Sequence, residues 1–555
     1  MAIVKQPLIV YFKKGFAHAL TKISSLSPRS ILYRARVRIK RTKSDRYLSQ
    51  LTTNNSTAFK GTVLVDGLFD NPNYWLRYAL VRNALGIKNH NQEGMIGPYN
   101  RAKIKKTLAF FNVPVAHDFL TIERAMHEQA TQLARALLDG TKAPKDILDW
   151  DLPGGVPPGT VYDGLLRRQR NAVVDITHYK FEAHVTEAVA SILAARQVIE
   201  THNYELLILS HNFDFRWAAL VWFGFEKNIP SIMLYGNFGV LKFCRMNCQN
   251  DFHHFFDHPS GEDIDRLSPE QADAAAEVGC QYLGLRLSGK TKDLGAVYAF
   301  QTEPPRSMKR SAFCQELGWD ATKKITAVYA GNWWDNIHGL GMTHFRDLED
   351  WLQCTLDTAA QNKDVNWLIK GHPVDRWYGG TKLSDVLPNS LPQNIQVAPE
   401  DWNNTDVISL ADGVVTIHGT AGLEFAFSRK PVLLADRGWY HECGFALWSQ
   451  SREDYISHLL SDWGALIDLT ISQRRAEIFA ALCCCCPSWQ QGLIYRPDTD
   501  RDDIYLDLQE TLEKNPKALE KEIQTISDWF ESSTPYYHVF KMQGADAFAL
   551  SNVRR

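Results

Sequence analysis

The chain lacks the marks of a membrane-spanning or secreted protein. Of its 555 residues 45% are hydrophobic, yet no window holds the roughly 18 uncharged apolar residues that a membrane-spanning helix needs. The first apolar run, Leu8 to Phe12, is short, and no small-residue cleavage site follows it, so we expect no secretory signal. Its ten cysteines are sparse except for Cys483 to Cys486, which we interpret as buried or half-exposed thiols. We therefore expect a cytoplasmic protein, soluble or peripheral to a membrane.

Several common signatures are also missing. A formal net charge of −2 gives no global attraction to nucleic acid. No Gly-x-Gly-x-x-Gly, Gly-x-Ser-x-Gly or His-Glu-x-x-His occurs, which argues against dinucleotide oxidoreductases, serine hydrolases and zinc proteases. Four adjacent cysteines cannot all face one ion, and no Cys-x-x-Cys or His-x-x-x-His companion stands beside Cys483 to Cys486 to complete a zinc site. We expect neither a metal nor a cofactor.

Positive charge is concentrated at the amino terminus. Residues 1–50 hold 12 lysines and arginines against one acid, Asp45, and apolar side chains are interspersed among them. A basic, amphipathic segment of this kind can lie on an anionic bilayer, where each cation contributes on the order of 1 kcal/mol. The alternative is a helical arm packed on its own protein or on a second subunit. We assign residues 1–57 to a basic leader.

The first half of the chain alternates buried-strand patterns with helical ones. Apolar runs at 61–66, 206–210 and 229–234 are separated by helical stretches and followed by polar loops. This order predicts a parallel sheet with helices on its faces, in a first domain that spans residues 58–310.

The second half has a β-α repeat of its own. Its predicted strands are 325–330, 367–370, 394–397, 414–417 and 432–435, in a second domain of residues 311–460 that a helical segment, 461–555, follows. Three loops come directly after strands, beginning at Gly331-Asn332, Gly371-His372 and His418-Gly419. Because ligands of open α/β sheets bind at the carboxyl ends of the strands, we expect these loops to converge on one site.

The glycine-rich turn His418-Gly-Thr-Ala-Gly422 is the strongest candidate in that site. Such a turn presents backbone N–H groups to a phosphate, and Glu424 would then lie near a nucleotide ribose. The alternative is a tight turn without a ligand, with Glu424 merely complementing the helix dipole. His372, together with Lys370 and His418, could neutralise a departing phosphate.

Transfer chemistry also needs a carboxylate that deprotonates an acceptor hydroxyl or attacks a sugar carbon. The first domain offers Asp66, Asp70, Asp163 and Asp214. Asp214 follows a buried strand and precedes Arg216, which could keep the carboxylate ionised or bind the carboxylate of an acidic sugar. A structural Asp-Arg pair at the start of a helix is the alternative. Asp149-Trp-Asp151 has the form of a metal-holding pair, but it does not end a buried strand.

The second half resembles the bacterial capsule polysaccharide biosynthesis family, which includes the β-Kdo transferases of capsule and lipopolysaccharide assembly. The resemblance is carried by Ala327 to Asp335, Trp367 to Pro373, His418 to Glu424 and Lys430 to Ala435, in that order and spacing. Gly159 to Arg167 and His211 to Gly236 are more loosely similar to the acceptor domain of the family.

This resemblance implies a metal-independent GT-B glycosyltransferase, in which two Rossmann-type α/β domains face each other across a cleft. Its catalytic candidates are Asp214 and Asp163, and Arg216 and Arg167 are candidates for binding the acceptor or a sugar carboxylate. The donor-binding candidates are Asn332, Lys370, His372, His418, Gly419, Thr420, Ala421, Gly422 and Glu424. The family turn often has Ser where this chain has His418-Gly-Thr420, and Arg often precedes its His-Pro where Gly371 stands here.

The predicted function is therefore transfer of a sugar from a nucleotide donor to a capsular, lipopolysaccharide or other surface-glycan acceptor at the inner face of the cytoplasmic membrane. A CMP-linked acidic sugar such as Kdo is favoured over UDP- or GDP-linked donors. The acceptor is expected to be lipid-linked or polymeric. The alternatives are a non-hydrolysing nucleotide-sugar epimerase, a polymer phosphotransferase of the wall-teichoic type, and a scaffold subunit without activity.

Overall fold

The fold was analysed in a computed structural model of the chain. It describes residues 28–51, 59–87, 91–234, 241–253, 258–290, 299–300, 305–306, 308–372, 379–400, 402–485, 488–491, 493, 504–532 and 534–537. Most of the predicted leader, the loop after His372 and the segment between residues 494 and 503 lie outside these ranges.

The first sheet is built from the amino-terminal half of the chain. Its six strands have the order β3-β2-β1-β4-β5-β6. They are β1 Thr62–Gly67, β2 Gln92–Ile96, β3 Val115–Asp118, β4 Tyr204–Leu209, β5 Ser231–Met233 and β6 Cys244–Met246. Every pair is parallel except β5 and β6, which are antiparallel. The chain crosses from β1 outward to β3 and then returns to β4, as in a doubly wound sheet.

The second sheet is parallel throughout, with the order β12-β11-β10-β7-β8-β9. Its strands are β7 Lys324–Tyr329, β8 Val365–Lys370, β9 Ile395–Val397, β10 Gly413–Thr416, β11 Val432–Leu434 and β12 Leu447–Trp448. Strands β7, β8, β10 and β11 are apolar and buried on both faces, as parallel strands covered by helices must be.

Helices cover both sheets. Those of the first 300 residues are α1 Pro28–Gln50, α2 Pro72–Ala84, α3 Arg101–Phe110, α4 Phe119–Ala125, α5 His127–Asp139, α6 Gly159–Gln169, α7 Phe181–Thr201, α8 Phe215–Glu226, α9 Gly261–Asp265 and α10 Pro269–Leu287. The others are α11 Arg310–Leu317, α12 Leu348–Gln361, α13 Leu383–Val386, α14 Asn404–Leu410, α15 Ala421–Phe427, α16 Arg452–Leu459, α17 Leu469–Cys484, α18 Ser488–Gln491, α19 Ile504–Lys514 and α20 Pro516–Glu531. Four short 3₁₀ helices are Pro144–Asp149, Pro153–Gly155, Gln249–His253 and Trp463–Leu466.

The predicted architecture of two Rossmann-type α/β units is confirmed, and the fold is GT-B-like. The sequence did not predict β2, β3, β6 or β12. Strands β2 and β3 carry Gln92, Glu93, His117 and Asp118, and these polar side chains hide the apolar pattern that identifies a buried strand.

Two segments of the chain do not pack on the α/β unit that is nearest to them in sequence. Helices α9 and α10 pack on α15 and α17 and share the apolar core of the second sheet. The domain boundaries predicted from the sequence had placed both helices in the first domain. Helices α19 and α20 pack on α1 and α2 of the first unit instead. The chain therefore crosses between the units more than once.

The described part of the basic leader is a helix that rests on the first unit. Along α1, the side chains of Val37, Arg41, Asp45 and Leu48 recur at three- or four-residue spacing and are buried. Arg41 pairs with Asp70 and Asp45, and the helix contacts α2, α3 and α19. This packed face matches the alternative of an arm docked on its own protein. None of the helices in the described ranges is long and apolar enough to cross a membrane.

Candidate functional site

Four loops meet at the carboxyl ends of the central strands of the second sheet. They follow β7, β8, β10 and β11, which are neighbours in the order β11-β10-β7-β8. Of the predicted donor-binding residues, Asn332 stands just after β7, His372 just after β8, and the turn from His418 to Gly422 just after β10. The parallel topology thus brings these predicted positions to one edge.

The turn after β10 is held by its own backbone and by two aromatic residues. Thr416 Oγ1 accepts a hydrogen bond from the Gly419 N–H at 3.3 Å. The Tyr440 hydroxyl donates to the Gly419 carbonyl at 2.6 Å, and the Trp439 indole N–H donates to the His418 carbonyl. A Cβ at Gly422 would lie 2.2 Å from the Tyr440 oxygen, so glycine is required there by packing.

His372 and His418 form an electrically coupled pair at this edge. Burial lowers the pKa of His418 to about 4. Burial also lowers the pKa of His372 to about 4, and the nearby His418 ring adds to that effect. Both rings are therefore neutral at neutral pH. The Nδ1 atom of His418 is enclosed and has no hydrogen-bond partner among the described residues.

Asp436, which follows β11, organises the loop after β7. Its carboxylate is fully buried and accepts hydrogen bonds from the Thr343 N–H at 2.8 Å, the Thr343 hydroxyl at 2.9 Å and the His344 N–H at 2.6 Å. Its negative charge also acts to raise the pKa of His418, but less strongly than burial lowers it. The Asp436 carboxylate thus holds the loop after β7 beside the turn after β10.

The same loop reaches the first unit, where Asp163 on α6 binds it. One oxygen of Asp163 accepts from the backbone N–H groups of His338 and Gly339, both at 3.0 Å. The other lies 2.7 Å from His338 Nδ1. Despite burial, the Asp163 carboxylate raises the pKa of His338 above its ordinary value. The opposite ring nitrogen, Nε2, is enclosed and has no hydrogen-bond partner in the part of the chain that the structure describes.

Two further contacts join α6 to this loop. The Tyr162 hydroxyl donates to the Asp347 carboxylate at 2.6 Å, and Arg167 lies 3.1 Å from Asp335. Asp347 also caps α12 by accepting from the Asp350 N–H at 2.9 Å. Of the residues predicted in the first domain, Asp163 and Arg167 thus lie against the loop that follows β7 of the second sheet.

Two predicted donor-binding side chains point into the second unit instead. The Lys370 ammonium donates to the backbone carbonyls of Pro399 at 3.2 Å and Trp402 at 2.8 Å, which fixes the loop after β9. Glu424 is fully buried, and its carboxylate lies 2.9 Å from Arg286 on α10. A buried ion pair of this kind anchors α15 against α10.

Asp214 and Arg216 lie in the interior of the first unit. Asp214 accepts from the Arg216 N–H at the start of α8 and lies 3.6 Å from Arg168, so it caps the helix as the structural alternative proposed. The Arg216 guanidinium lies 2.8 Å from both Glu123 and Glu187.

The other two carboxylates considered, Asp66 and Asp70, are also engaged. Asp66 accepts from Ser210, Leu68 and Trp217, and Asp70 pairs with Arg41 and Lys103.

Sequence reasoning missed His338 and Asp436. Asp436 ends the apolar run from Val432 to Ala435, so the rule that strand ends carry ligands was a signal for it. His338 has no comparable signal, because its importance comes from a contact with Asp163, 175 positions earlier in the chain.

Comparison with protein-family models and with curated proteins gives no match. Among solved structures, the β-Kdo 2,4-transferase KpsC of Thermosulfurimonas dismutans is similar at 15% identity and a TM-score of 0.33, over 50% of this chain and 79% of that one. HepE of Anabaena, in complex with UDP and glucose, matches at 11% and 0.24, over 82% and 100%. A UDP-GlcNAc 2-epimerase from Neisseria meningitidis, bound to UDP-GlcNAc, gives the same four values. Function must therefore be argued from the site itself.

Proposed function

We propose that this protein is a glycosyltransferase that moves a sugar from a nucleotide donor to a hydroxyl of a surface-glycan acceptor. One observation carries the proposal: the Asp163–His338 pair of the facing units lies at the same sheet edge as the His372 and His418 pair. A base and an anion site side by side, in a cleft between two α/β units, fit the chemistry of sugar transfer.

The phosphate of the donor would contact His372, His418 and the backbone N–H groups of Thr420 and Ala421. Two neutral imidazoles donate hydrogen bonds to a phosphate without repelling each other, and a bound anion would raise the pKa of both. Arg167, at the edge of α6, is the group that would pair with the carboxylate of an acidic sugar. A CMP-linked acidic sugar is accordingly the donor that we favour.

The bond-making step needs a base for the acceptor hydroxyl, and we assign this role to Nε2 of His338. This atom is enclosed, so the loop that carries it must move to admit the acceptor. As the acceptor oxygen forms its bond to the sugar carbon, its proton passes to Nε2, and the bond from that carbon to the phosphate oxygen breaks. The nucleotide leaves with the electron pair of the broken bond. Asp163 is a positioning residue, because it holds Nδ1 protonated and makes the ring a stronger base.

The amino-terminal half of α1 supports an acceptor at a membrane. Its side chains Leu32 and Ile39 are 70% and 59% exposed, and Arg34, Arg36 and Arg38 are exposed among them. An exposed surface with both cations and large apolar groups suits an anionic bilayer, which would bring a lipid-linked glycan to the cleft. Sedimentation with vesicles of anionic phospholipid is expected to retain the protein. A triple change of these arginines to Glu should release it, and equal retention of both proteins would refute the membrane role.

Incubation of CMP-Kdo and of UDP- and GDP-sugars with a lipid-linked glycan acceptor tests the reaction. We expect free nucleotide and an acceptor heavier by one sugar. Isomerised donor without acceptor would instead identify an epimerase, and phosphate retained in the product would identify a phosphotransferase. A folded protein whose stability no nucleotide or nucleotide sugar raises would refute a donor-binding site altogether.

Three variants distinguish a loss of catalysis from a loss of the contacts that hold the two units together. His338→Gln should lower kcat by about 10²–10⁴-fold while nucleotide affinity stays unchanged. Asp163→Asn should lower kcat and shift its pH profile, since the base becomes weaker. Tyr162→Phe is the matched control, because it removes another hydrogen bond between the units without touching the pair. Equal losses in Tyr162→Phe and His338→Gln would contradict a catalytic role for the imidazole.

A further inference from the structure

A second group of polar side chains lies near the amino-terminal end of the first sheet, away from the nucleotide edge. Glu93 is on β2, His117 is on β3, and His202 stands between α7 and β4. Tyr204, the first residue of β4, places its hydroxyl among them. The assigned reaction uses none of these residues.

The geometry of this group is compact. One ligand atom from each of Glu93, His117 and His202 lies within 4.8 Å of the other two. His117 Nε2 is 3.8 Å from Glu93 Oε2, and His202 Nδ1 contacts the same oxygen. The Tyr204 oxygen is 2.6 Å from Glu93 Oε2, 2.6 Å from His117 Nε2 and 3.2 Å from His202 Nδ1. Ligands around a tetrahedral zinc ion are separated by about 3.3 Å. Because the three ligand atoms lie within 4.8 Å of one another, shifts of up to about 1.5 Å would admit the ion.

We propose that Glu93, His117 and His202 bind one zinc ion, with a water molecule as the fourth ligand. Two imidazole nitrogens and one carboxylate oxygen are a donor set that suits zinc, whereas magnesium and calcium favour oxygen ligands throughout. The Tyr204 hydroxyl, which donates to Glu93, would orient the carboxylate from outside the coordination sphere. His202 and Glu93 are partly exposed and leave the ion a path from solvent.

The ion would serve the fold rather than the transfer reaction. Its ligands come from β2, from the edge strand β3 and from the segment that leads into β4, so one ion would tie three separate elements together. An edge strand of four residues has few ladder hydrogen bonds of its own, and β3 is such a strand. Metal binding by the native state alone raises its stability.

Calorimetric titration with ZnCl₂ tests the proposal on the full chain, with any histidine tag removed and the protein stripped with EDTA. We expect one zinc per chain and a rise in Tm. Glu93→Gln and His202→Gln should each weaken zinc binding by about tenfold or more, because the loss of a ligand costs at least as much as the loss of its outer partner. His127→Gln, which removes an exposed imidazole on α5, is the control and should bind as the unmodified chain does.

Three results would overturn the assignment, the first two of them measured in solution. One is the absence of any zinc-dependent rise in Tm, which would leave the four side chains as a hydrogen-bonded network. The other is zinc binding of equal strength in Glu93→Gln, His202→Gln and the unmodified chain. Anomalous scattering at the zinc edge from a zinc-loaded crystal should place the ion between Glu93 and the two imidazoles, and a peak elsewhere would contradict the proposal. Each outcome is independent of whether the chain transfers sugar.

Discussion

The neutral state of His418 predicts a loss of stability in acid that can be calculated. The pKa of His418 is lowered to about 4 in the folded chain, chiefly by burial, whereas an unfolded histidine titrates near pH 6.5. Between these values the unfolded state binds a proton that the folded state does not. The full stability is therefore present above pH 6.5 and is lost as the pH falls towards 4.

The size of the effect follows from the difference between the two pKa values. At pH 5 the unfolded ring is almost fully protonated and the folded ring is almost fully neutral, so His418 lowers the free energy of unfolding by about 2 kcal/mol relative to pH 8. Replacement by Gln removes the titrating group. His418→Gln should therefore lose about 2 kcal/mol less than the unmodified chain between pH 8 and pH 5.

Urea unfolding of both proteins at pH 8, 6 and 5 measures this difference. Comparison of the change with pH, rather than of absolute stability, cancels the cost of the substitution and the titration of groups that do not interact with His418. His127→Gln is the matched control, because it makes the same substitution at an imidazole that is exposed on α5. A pH dependence that His418→Gln shares with the unmodified chain would refute the burial of a neutral imidazole at this turn.

Other substitutions probe the packing that shapes the site. Gly438→Ala would put a Cβ 2.7 Å from the Cβ of His418. Nucleotide affinity, measured by calorimetry, should therefore fall by about tenfold. Gly284→Ala is the control and should bind nucleotide normally, because no atom lies within 4 Å of its new Cβ. Arg286→Met leaves the buried Glu424 carboxylate without its partner and should lower the free energy of unfolding by about 3–5 kcal/mol. Arg266→Met, which breaks a helical pair exposed to solvent, should change it by less than about 1 kcal/mol.

The sequence predicted the second sheet well because its strands are unbroken apolar runs. The runs at β7, β8, β10 and β11 end at glycine or polar residues, and this change of character marks both the strand and the loop after it. The neighbouring positions of those loops then follow from the parallel topology. Short edge strands such as β3, Val-Ala-His-Asp, show no change from apolar to polar residues and were not predicted.

The directions of side chains and the contacts between distant residues could not be predicted from the sequence. Lys370 and Glu424 were expected at the ligand because of their positions after a strand and within a helix, but tertiary packing directs them to carbonyls and to Arg286. Asp163 was predicted as a catalytic carboxylate, and its contact with His338 depends on how the units meet. The proposed zinc ligands are likewise 24 and 85 positions apart, so no local spacing could reveal them.

The central claim is that a donor nucleotide binds through its phosphate at the turn after β10. A crystal structure with CMP tests this claim most directly. The phosphate oxygens should lie within hydrogen-bonding reach of His372, His418 and the N–H groups of Thr420 and Ala421, with the open side of the phosphate facing His338. A nucleotide bound to the first unit, or bound with its phosphate turned away from both imidazoles, would contradict the account.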